Sequence, residues 1–193
     1  MDAAGPPLRV ELSLPEWVAD VVDWRRSYAG DDERMRLAIA LARENVLRGA
    51  GGPFAAAVFE RESGRLVSVG LNGVERLASS VAHAEVLALA LAERRLNSFS
   101  LRAPELPAHE IFSSCAPCAM CLGAVLWSGV RRLVWGALRE DALAIGFDEG
   151  PVFPESIDYL RSREIEIVTG LLRDDARAVL EMYAHRGGRI YNG

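Results

Sequence analysis

Apolar residues recur along this chain with two kinds of spacing, and each kind predicts one type of element. Spacings of three and four residues predict helices, which cover residues 15–28, 31–48, 81–96, 140–145 and 173–186. Short apolar runs between turn residues predict strands, which cover residues 55–60, 65–70, 108–113, 132–137 and 164–169. Because strands alternate with helices, we expect an α/β fold, a three-layer α/β/α sandwich around a mixed five-stranded sheet.

The pattern divides the chain into one domain and an extension that precedes it. Residues 31–193 carry all the predicted strands, whereas residues 1–30 hold a Gly- and Pro-containing leader and the short amphipathic helix. A domain of this size buries roughly 70% of the surface that its unfolded chain exposes. The extension is therefore expected to pack on this domain or on a partner subunit.

Composition and charge favour a soluble protein with a small-molecule substrate. Hydrophobic residues make up 50% of the chain, yet no apolar run approaches the roughly 20 residues that span a membrane. The net charge of −5 argues against a nucleic-acid partner, since such partners are met by clustered positive charge. The first residues lack the basic and apolar segments of a secretion signal, so we predict a cytoplasmic location.

All three cysteines of the chain lie in one short stretch at a predicted helix start. Pro117 precedes Cys118 and Cys121, which stand one helical turn apart, and the helix stays apolar up to Ser128 and Gly129. An odd number of clustered cysteines does not suggest disulfides and suits a thiolate metal site in a reducing compartment. Such a pair also occurs in redox motifs and structural zinc sites, so by itself it leaves the role open.

A second group with metal chemistry lies upstream, where His83 and Glu85 stand at the head of another predicted helix. Two thiolates and one imidazole balance Zn²⁺ and leave a fourth position open, as catalytic zinc sites do. A carboxylate beside such a site can move protons at a zinc-bound water. His-x-Glu followed by Pro-Cys-x-x-Cys is the signature of zinc deaminases of nucleobases. The sequence therefore predicts Zn²⁺ held by His83, Cys118 and Cys121, with Glu85 as the proton shuttle.

Four motifs, in this order, resemble the cytidine deaminase-like superfamily and, within it, the guanine deaminase branch. They are GGPFAAAV at 51–58, HAEV at 83–86, PCAMCLGA at 117–124 and GFDE at 146–149. The resemblance extends from about residue 31 to the C-terminus. It implies one zinc ion per subunit and the hydrolytic deamination of a free aminated base, guanine first, to xanthine and ammonia.

The same resemblance implies how the base is bound. Phe54 would form an aromatic wall, Asn72 would read the purine carbonyl, and the amide of Ala84 would lie near the substrate. Trp127 is expected to line the pocket as a further aromatic residue. Aromatic faces with a few polar groups suit a planar heterocycle.

An acidic loop and the C-terminal tail complete the implied pocket. Glu149 would accept hydrogen bonds from guanine, with Asp148 as the alternate. Tyr191 would close the pocket, because Gly187 and Gly188 give the tail a hinge. The resemblance also implies a homodimer, in which the C-terminal segment closes the pocket of its own or of the neighbouring subunit.

Three alternative functions remain open from the sequence. An amino-triazine such as ammeline presents an edge similar to that of guanine and would need the same chemistry. A tRNA adenosine deaminase would use the same zinc motif, although the negative net charge counts against it. A structural zinc module without catalysis is the third alternative.

One position departs from the pattern of the family. The family usually has a glutamate immediately before Pro-Cys-x-x-Cys, whereas this chain has Ala116 there, preceded by Cys115. Loss of a carboxylate near the site could weaken the support of the metal ligands. Cys115 is predicted to be a small core residue. The family motif begins with Pro-Cys, so Pro117 aligns Cys118 and Cys121, and not Cys115, with the two cysteines of the motif.

Overall fold

The computed structural model describes residues 9–192, in which seven helices pack around one five-stranded sheet. The strands are β1 (Ala55–Glu60), β2 (Leu66–Leu71), β3 (His109–Cys115), β4 (Arg132–Ala137) and β5 (Glu166–Val168). The helices are α1 (Val18–Val21), α2 (Asp31–Leu47), α3 (Ala84–Leu96), α4 (Ala119–Ser128), α5 (Arg139–Ala144), α6 (Pro154–Ser162) and α7 (Arg173–His185).

The sheet has five strands in the order β2-β1-β3-β4-β5. Strands β2, β1 and β3 pair antiparallel, whereas β3, β4 and β5 pair parallel. The predicted fold class, a mixed five-stranded sheet in an α/β/α sandwich, is confirmed. The parallel pairing matters for function because the C-terminal ends of β3 and β4 meet at one edge of the sheet.

Alternating residues of β1 divide the core into two layers. Ala57 and Phe59 face the layer that holds α2 and α7, whereas Ala56 and Val58 face the layer that holds α3 and α4. All of these strand residues are fully buried, so β1 is covered on both faces. Residues 9–192 contain no helix that is long and apolar enough to cross a membrane.

The predicted helix over residues 15–28 is wrong. Only Val18–Val21 is helical, and Val18 and Val22 are buried in place of Val21, which is 43% exposed. The helix stops early because the Asp23 side chain accepts a hydrogen bond from the amide of Arg25 (3.0 Å), which forms a turn. Residues 1–8 of the predicted extension lie outside the described residues.

The structure also has a helix that the pattern did not predict. Helix α6 spans nine residues and buries mainly Leu160, so its apolar periodicity is short. The sequence does contain one signal for the start of this helix, Pro154 at the first helical position. Proline is favoured there because the N–H group that it lacks would have no partner within the helix. The other predicted helices and the strands lie within a few residues of their expected bounds.

Helix α3 approaches the sheet closely at Gly70 of β2. A Cβ atom at Gly70 would lie 1.9 Å from the carbonyl oxygen of Ala84 and 2.5 Å from the amide nitrogen of Ala88. One turn along, Ser68 Oγ donates a hydrogen bond of 2.6 Å to the Ala88 carbonyl. This contact presses the first turn of α3 against β2 and thereby fixes where the helix begins.

A network of charged residues lies at the opposite edge, where the parallel strands begin. The Glu110 carboxylate is fully buried and accepts hydrogen bonds from Arg34 and from Arg132 Nη1, the latter at 3.2 Å. Arg132 also donates to Asp31 (2.8 Å) and to Glu166 (2.9 Å). The network therefore joins α2 to the first residues of β3, β4 and β5.

We expect Glu110→Ala to destabilise the fold, because it leaves two buried guanidinium groups without their shared carboxylate. Removal of one partner from a buried ion pair costs roughly 3–5 kcal/mol. The matched control is Glu44→Ala, which breaks an exposed pair with Arg48 and should change stability by less than about 0.5 kcal/mol. Urea unfolding followed by circular dichroism measures both, and equal losses of stability in the two variants would contradict this role.

Candidate active site

Three ends of strands and the starts of two helices meet at the edge where β3 and β4 end. Phe54 lies just before β1, Asn72 just after β2, and Ala116 just after β3. The register explains this arrangement, because Ala55 pairs with Leu71 and Ala56 pairs with Ser113. Helices α3 and α4 begin at the same edge, so their first turns face each other.

The predicted metal ligands occupy equivalent positions on these two helices. His83 is the N-cap residue of α3, and Cys118 is the N-cap residue of α4, with Cys121 one turn further on. Their potential ligand atoms all lie within 4.8 Å of one another. The sequence-predicted ligands are therefore brought together by the fold.

The distances suit a tetrahedral zinc ion. His83 Nδ1 lies 3.5 Å from Cys118 Sγ and 3.6 Å from Cys121 Sγ. Nitrogen and sulfur ligands at usual zinc distances are separated by about 3.6 Å in a tetrahedral site. Hydrogen bonds from the Cys121 thiol and from His83 lower the pKa of Cys118 to about 4, so that a thiolate forms readily. The chemistry of these donors thus fits zinc.

Glu85 lies beside this cluster, buried in the first turn of α3. Its Oε1 accepts a hydrogen bond from Ser113 Oγ (2.9 Å), and its Oε2 lies 3.3 Å from Cys121 Sγ. Burial raises the pKa of Glu85, and the negative charge of Cys118 raises it further. Ser113 therefore orients one carboxylate oxygen and leaves the other on the side of the metal ligands.

A small cavity of about 40 Å³ opens over the cluster. It is lined by most of the predicted site residues, namely Phe54, Asn72, His83, Ala84, Glu85, Cys118, Asp148, Glu149 and Tyr191. The remaining lining residues are Ala116 and Phe147. One cavity thus brings together a cysteine sulfur, an imidazole, carboxylates and aromatic rings.

The family model for the cytidine and deoxycytidylate deaminase zinc-binding region matches residues 29–137. This match covers more than half of the chain and includes the three candidate ligands and Glu85. The chain belongs to this zinc-binding deaminase family. The family predicted from the sequence is therefore confirmed.

Individual relatives point to the guanine deaminase branch. The structure of guanine deaminase from Nitrosomonas europaea is 44% identical, with a TM-score of 0.89 over 94% of this chain and 100% of that chain. The structure of NE0047 with 2,6-diaminopurine is 47% identical, with a TM-score of 0.89 over 94% of this chain and 96% of that one. Guanine deaminase from Bacillus subtilis is 34% identical over 63% of this chain and 73% of its own length.

The two acidic residues of the deaminase's 146–149 motif have different environments. Glu149 is buried, and burial raises its pKa to about 7, with the charges of Cys118 and Glu85 adding to the rise. Asp148 is exposed, and its Oδ1 accepts a hydrogen bond from the Gly150 amide (2.8 Å) in a tight turn. Asp148 thus shapes the loop from which Glu149 reaches the cavity.

Trp127 does not line the cavity, so this expectation needs correction. Its side chain is 81% exposed on the outer face of α4, near the end of that helix. It stands six residues beyond Cys121, so helical geometry carries it away from the site.

Phe147, which was not predicted, is the further aromatic residue that lines the cavity. Its ring lies edge-on to the rings of Phe54 and Tyr191, with centroid distances of 5.0 Å and 5.1 Å. Its place in the GFDE motif, beside the predicted residues Asp148 and Glu149, could have identified Phe147 from the sequence.

Cys115 is buried at the end of β3 and stands apart from the metal cluster. Its Sγ faces the Leu138 carbonyl at 3.9 Å, and burial raises its pKa well above the ordinary range. It therefore packs as a small neutral core residue.

We expect Cys118→Ser to weaken zinc binding by more than about 100-fold, because loss of even an outer-shell partner of a metal ligand costs about 10–100-fold. Cys115→Ser is the matched control and should bind zinc as the unmodified protein does. Competition with a chromogenic zinc chelator measures both affinities. Equal loss of zinc in the two variants would show that the ligand set is assigned incorrectly.

Proposed function

We propose that this deaminase catalyses the zinc-dependent hydrolysis of guanine to xanthine and ammonia. The observation that carries this conclusion is the buried Glu85 carboxylate beside three convergent zinc ligands, at the base of one cavity with aromatic walls. The similarity to guanine deaminases of two bacteria supports guanine as the base.

The residues at the centre of the site have distinct roles. When zinc is bound by His83, Cys118 and Cys121, it acts as a Lewis acid that lowers the pKa of water towards about 7. Glu85 accepts a proton from the attacking water through the oxygen that Ser113 leaves free. It passes this proton to the ring nitrogen, then takes the second proton from the hydroxyl that has added to the ring carbon and delivers it to the departing ammonia, so that it serves as base and acid in turn.

The polar lining of the cavity supports a proposal for how guanine is held. Asn72 offers an amide to the purine carbonyl, and the backbone of Ala84 lies at the ring edge. Glu149, rather than the exposed Asp148, accepts hydrogen bonds from guanine's N–H groups. Tyr191 Oη is buried and has no hydrogen-bond partner among the described residues, so it is free to bond to the base.

The alternative functions fit these observations less well. Ammeline would use the same contacts and remains the second substrate candidate. A purely structural zinc site would not need a carboxylate oriented by Ser113 at its open side. A tRNA substrate would need clustered positive charge, whereas the chain carries a net charge of −5.

We also propose that the protein is a cytoplasmic homodimer with no nucleic-acid or membrane partner. Three free cysteines, two of them zinc ligands, suit a reducing compartment. Helix α4 contains no charged residue and exposes Met120 and Trp127 on its outer face. Exposed apolar side chains grouped on one helix are typical of an interface between subunits.

We expect the zinc-loaded protein to release ammonia from guanine, more slowly from ammeline, and not from adenine or cytosine. Glu85→Gln should retain zinc but turn over guanine about 10²–10⁴-fold more slowly, because only the proton transfer is removed. An enzyme-coupled ammonia assay and metal analysis give the two readouts.

Absence of guanine turnover near neutral pH would overturn the substrate assignment. If Glu85→Gln instead lost zinc and unfolded, the carboxylate would be structural and not a proton shuttle.

The contacts to the base are tested in the same assay with Glu149→Gln. This variant should raise KM for guanine while its zinc content stays unchanged.

The homodimer is tested by light scattering after gel filtration. The protein should elute with twice the mass of one chain, and Trp127→Glu should shift it towards the monomer because a charge would lie in the apolar interface. Phe99→Glu is the control, since Phe99 is 92% exposed in the segment that follows α3. A monomeric parent protein would contradict the proposal.

A further inference from the structure

Asn45 is a polar residue on the buried face of α2. It follows Ala38 and Ala42 at helical spacing, and all three residues are fully buried. A buried amide must find hydrogen-bond partners, because otherwise it loses its hydration without compensation. Asn45 Oδ1 has no such partner within residues 9–192. The presence of an asparagine in this part of the core is therefore explained by what its Nδ2 group binds.

The Nδ2 group of Asn45 joins two loops that carry residues of the catalytic cavity. It donates one hydrogen bond to the Gly52 carbonyl (2.9 Å) and another to the Asn72 carbonyl (3.0 Å). Gly52 lies two residues before Phe54, and both Phe54 and Asn72 line the cavity. Asn45 thus contacts the site from behind its wall.

The peptide groups on both sides of Asn72 are fixed by hydrogen bonds. The Asn72 amide donates to the Phe54 carbonyl (3.0 Å), while Asn45 holds the Asn72 carbonyl. The next amide, that of Gly73, donates to the Ala82 carbonyl (2.9 Å). Two fixed peptide planes determine the dihedral angles of the residue between them, and therefore the direction of its Cβ atom. Asn45 thereby helps to set the direction in which the Asn72 side chain leaves the backbone.

A glycine packs directly against the hydrogen bond between Asn45 and Asn72. A Cβ atom at Gly51 would lie 2.1 Å from the Asn72 carbonyl oxygen and 2.9 Å from Asn45 Nδ2. Only a residue without a side chain allows the loop to come this close. If an apolar side chain of similar size replaced Asn45, water would therefore have no room to take the place of the lost donor.

We propose that Asn45 is a positioning residue of the deaminase, which acts through Asn72 and favours a base that carries a ring carbonyl. The inference rests on the proposed function, in which the Asn72 amide reads the carbonyl of guanine. Asn72 Oδ1 accepts a hydrogen bond from the Val74 amide (3.4 Å), so Nδ2 is the end of this side chain that donates to the base. Hydrogen bonds weaken steeply with misalignment, so a small rotation of Asn72 is enough to lose the contact.

Ammonia release from guanine tests this role in a double-mutant cycle. Asn45→Leu removes the donor at similar side-chain volume and should lower kcat/KM about tenfold, the effect of one misplaced hydrogen bond. In an Asn72→Ala background the same substitution should change kcat/KM less than about twofold, because the residue through which Asn45 acts is gone. Ser128→Ala is the control, since it removes another buried hydrogen bond, to the Val125 carbonyl (2.9 Å), and should leave kcat/KM unchanged.

The nitrogen-15 NMR spectrum of the zinc-loaded protein gives a readout that needs no turnover. The side-chain amide signal of Asn72, identified by its absence in Asn72→Ala, should shift in Asn45→Leu and stay in place in Ser128→Ala. The spectrum also decides the outcome if Asn72→Ala releases too little ammonia to measure.

Two results would contradict the positioning role while guanine turnover stands. One is an equal fall of kcat/KM for Asn45→Leu in both backgrounds, and the other is an unshifted Asn72 signal. An unmodified protein that releases no ammonia from guanine would instead overturn the proposed function. If Asn45→Leu does not fold, Asn45→Ala replaces it, since alanine preserves the helix and adds no bulk. Loss of folding in both variants would make Asn45 purely structural and would refute the inference.

Discussion

The close approach of α3 to β2 at Gly70 is the contact on which the active site depends. Any side chain at this position would collide with the backbone of Ala84 and Ala88. Because the helix begins directly above the strand, His83 and Glu85 point into the gap at the sheet edge. A second strand glycine, Gly136, permits a close but less intimate approach of α7 on the other layer, where a Cβ atom at Gly136 would lie 2.9 Å from the Cβ of Ala176. Both layers are thus anchored by glycines of the sheet.

The two edges of the sheet use buried carboxylates for opposite purposes. Glu110 is surrounded by two guanidinium groups, so its charge is balanced by the protein itself. At the other edge, Glu85 and Glu149 lie near thiolates, and burial raises the pKa of both carboxyl groups. Such a concentration of acidic groups is stabilised by a bound cation, which favours their ionised forms. The zinc ion is therefore part of the electrostatic balance of this edge as well as of the chemistry.

The sequence predicts most of this arrangement because its strongest signals are local. A His-x-Glu and a Pro-Cys-x-x-Cys each lie at a helix start, and the strand before each helix is apolar enough to be recognised. Trp127 was misplaced because a resemblance gives the residue but not the face of the helix that it occupies. Helix 15–28 was overestimated because Asp23 forms a turn, and such a competing side-chain hydrogen bond is hard to distinguish from a helical pattern.

The placement of Glu149 shows why the three-dimensional arrangement of the site could not be predicted from residue types alone. Its loop is held at three backbone positions: Asn192 accepts from the Asp148 amide (2.8 Å) and donates to the Gly146 carbonyl (3.0 Å), while Arg139 donates to the Gly150 carbonyl (2.9 Å). The tail that supplies Asn192 is itself fixed by the hydrogen bond from Tyr183 Oη to the Arg189 carbonyl (2.6 Å). These bonds recognise backbone atoms, which every residue has. The motif at 146–149 thus identifies Glu149 by resemblance, whereas the position of its carboxylate follows from the folded tail and α5 together.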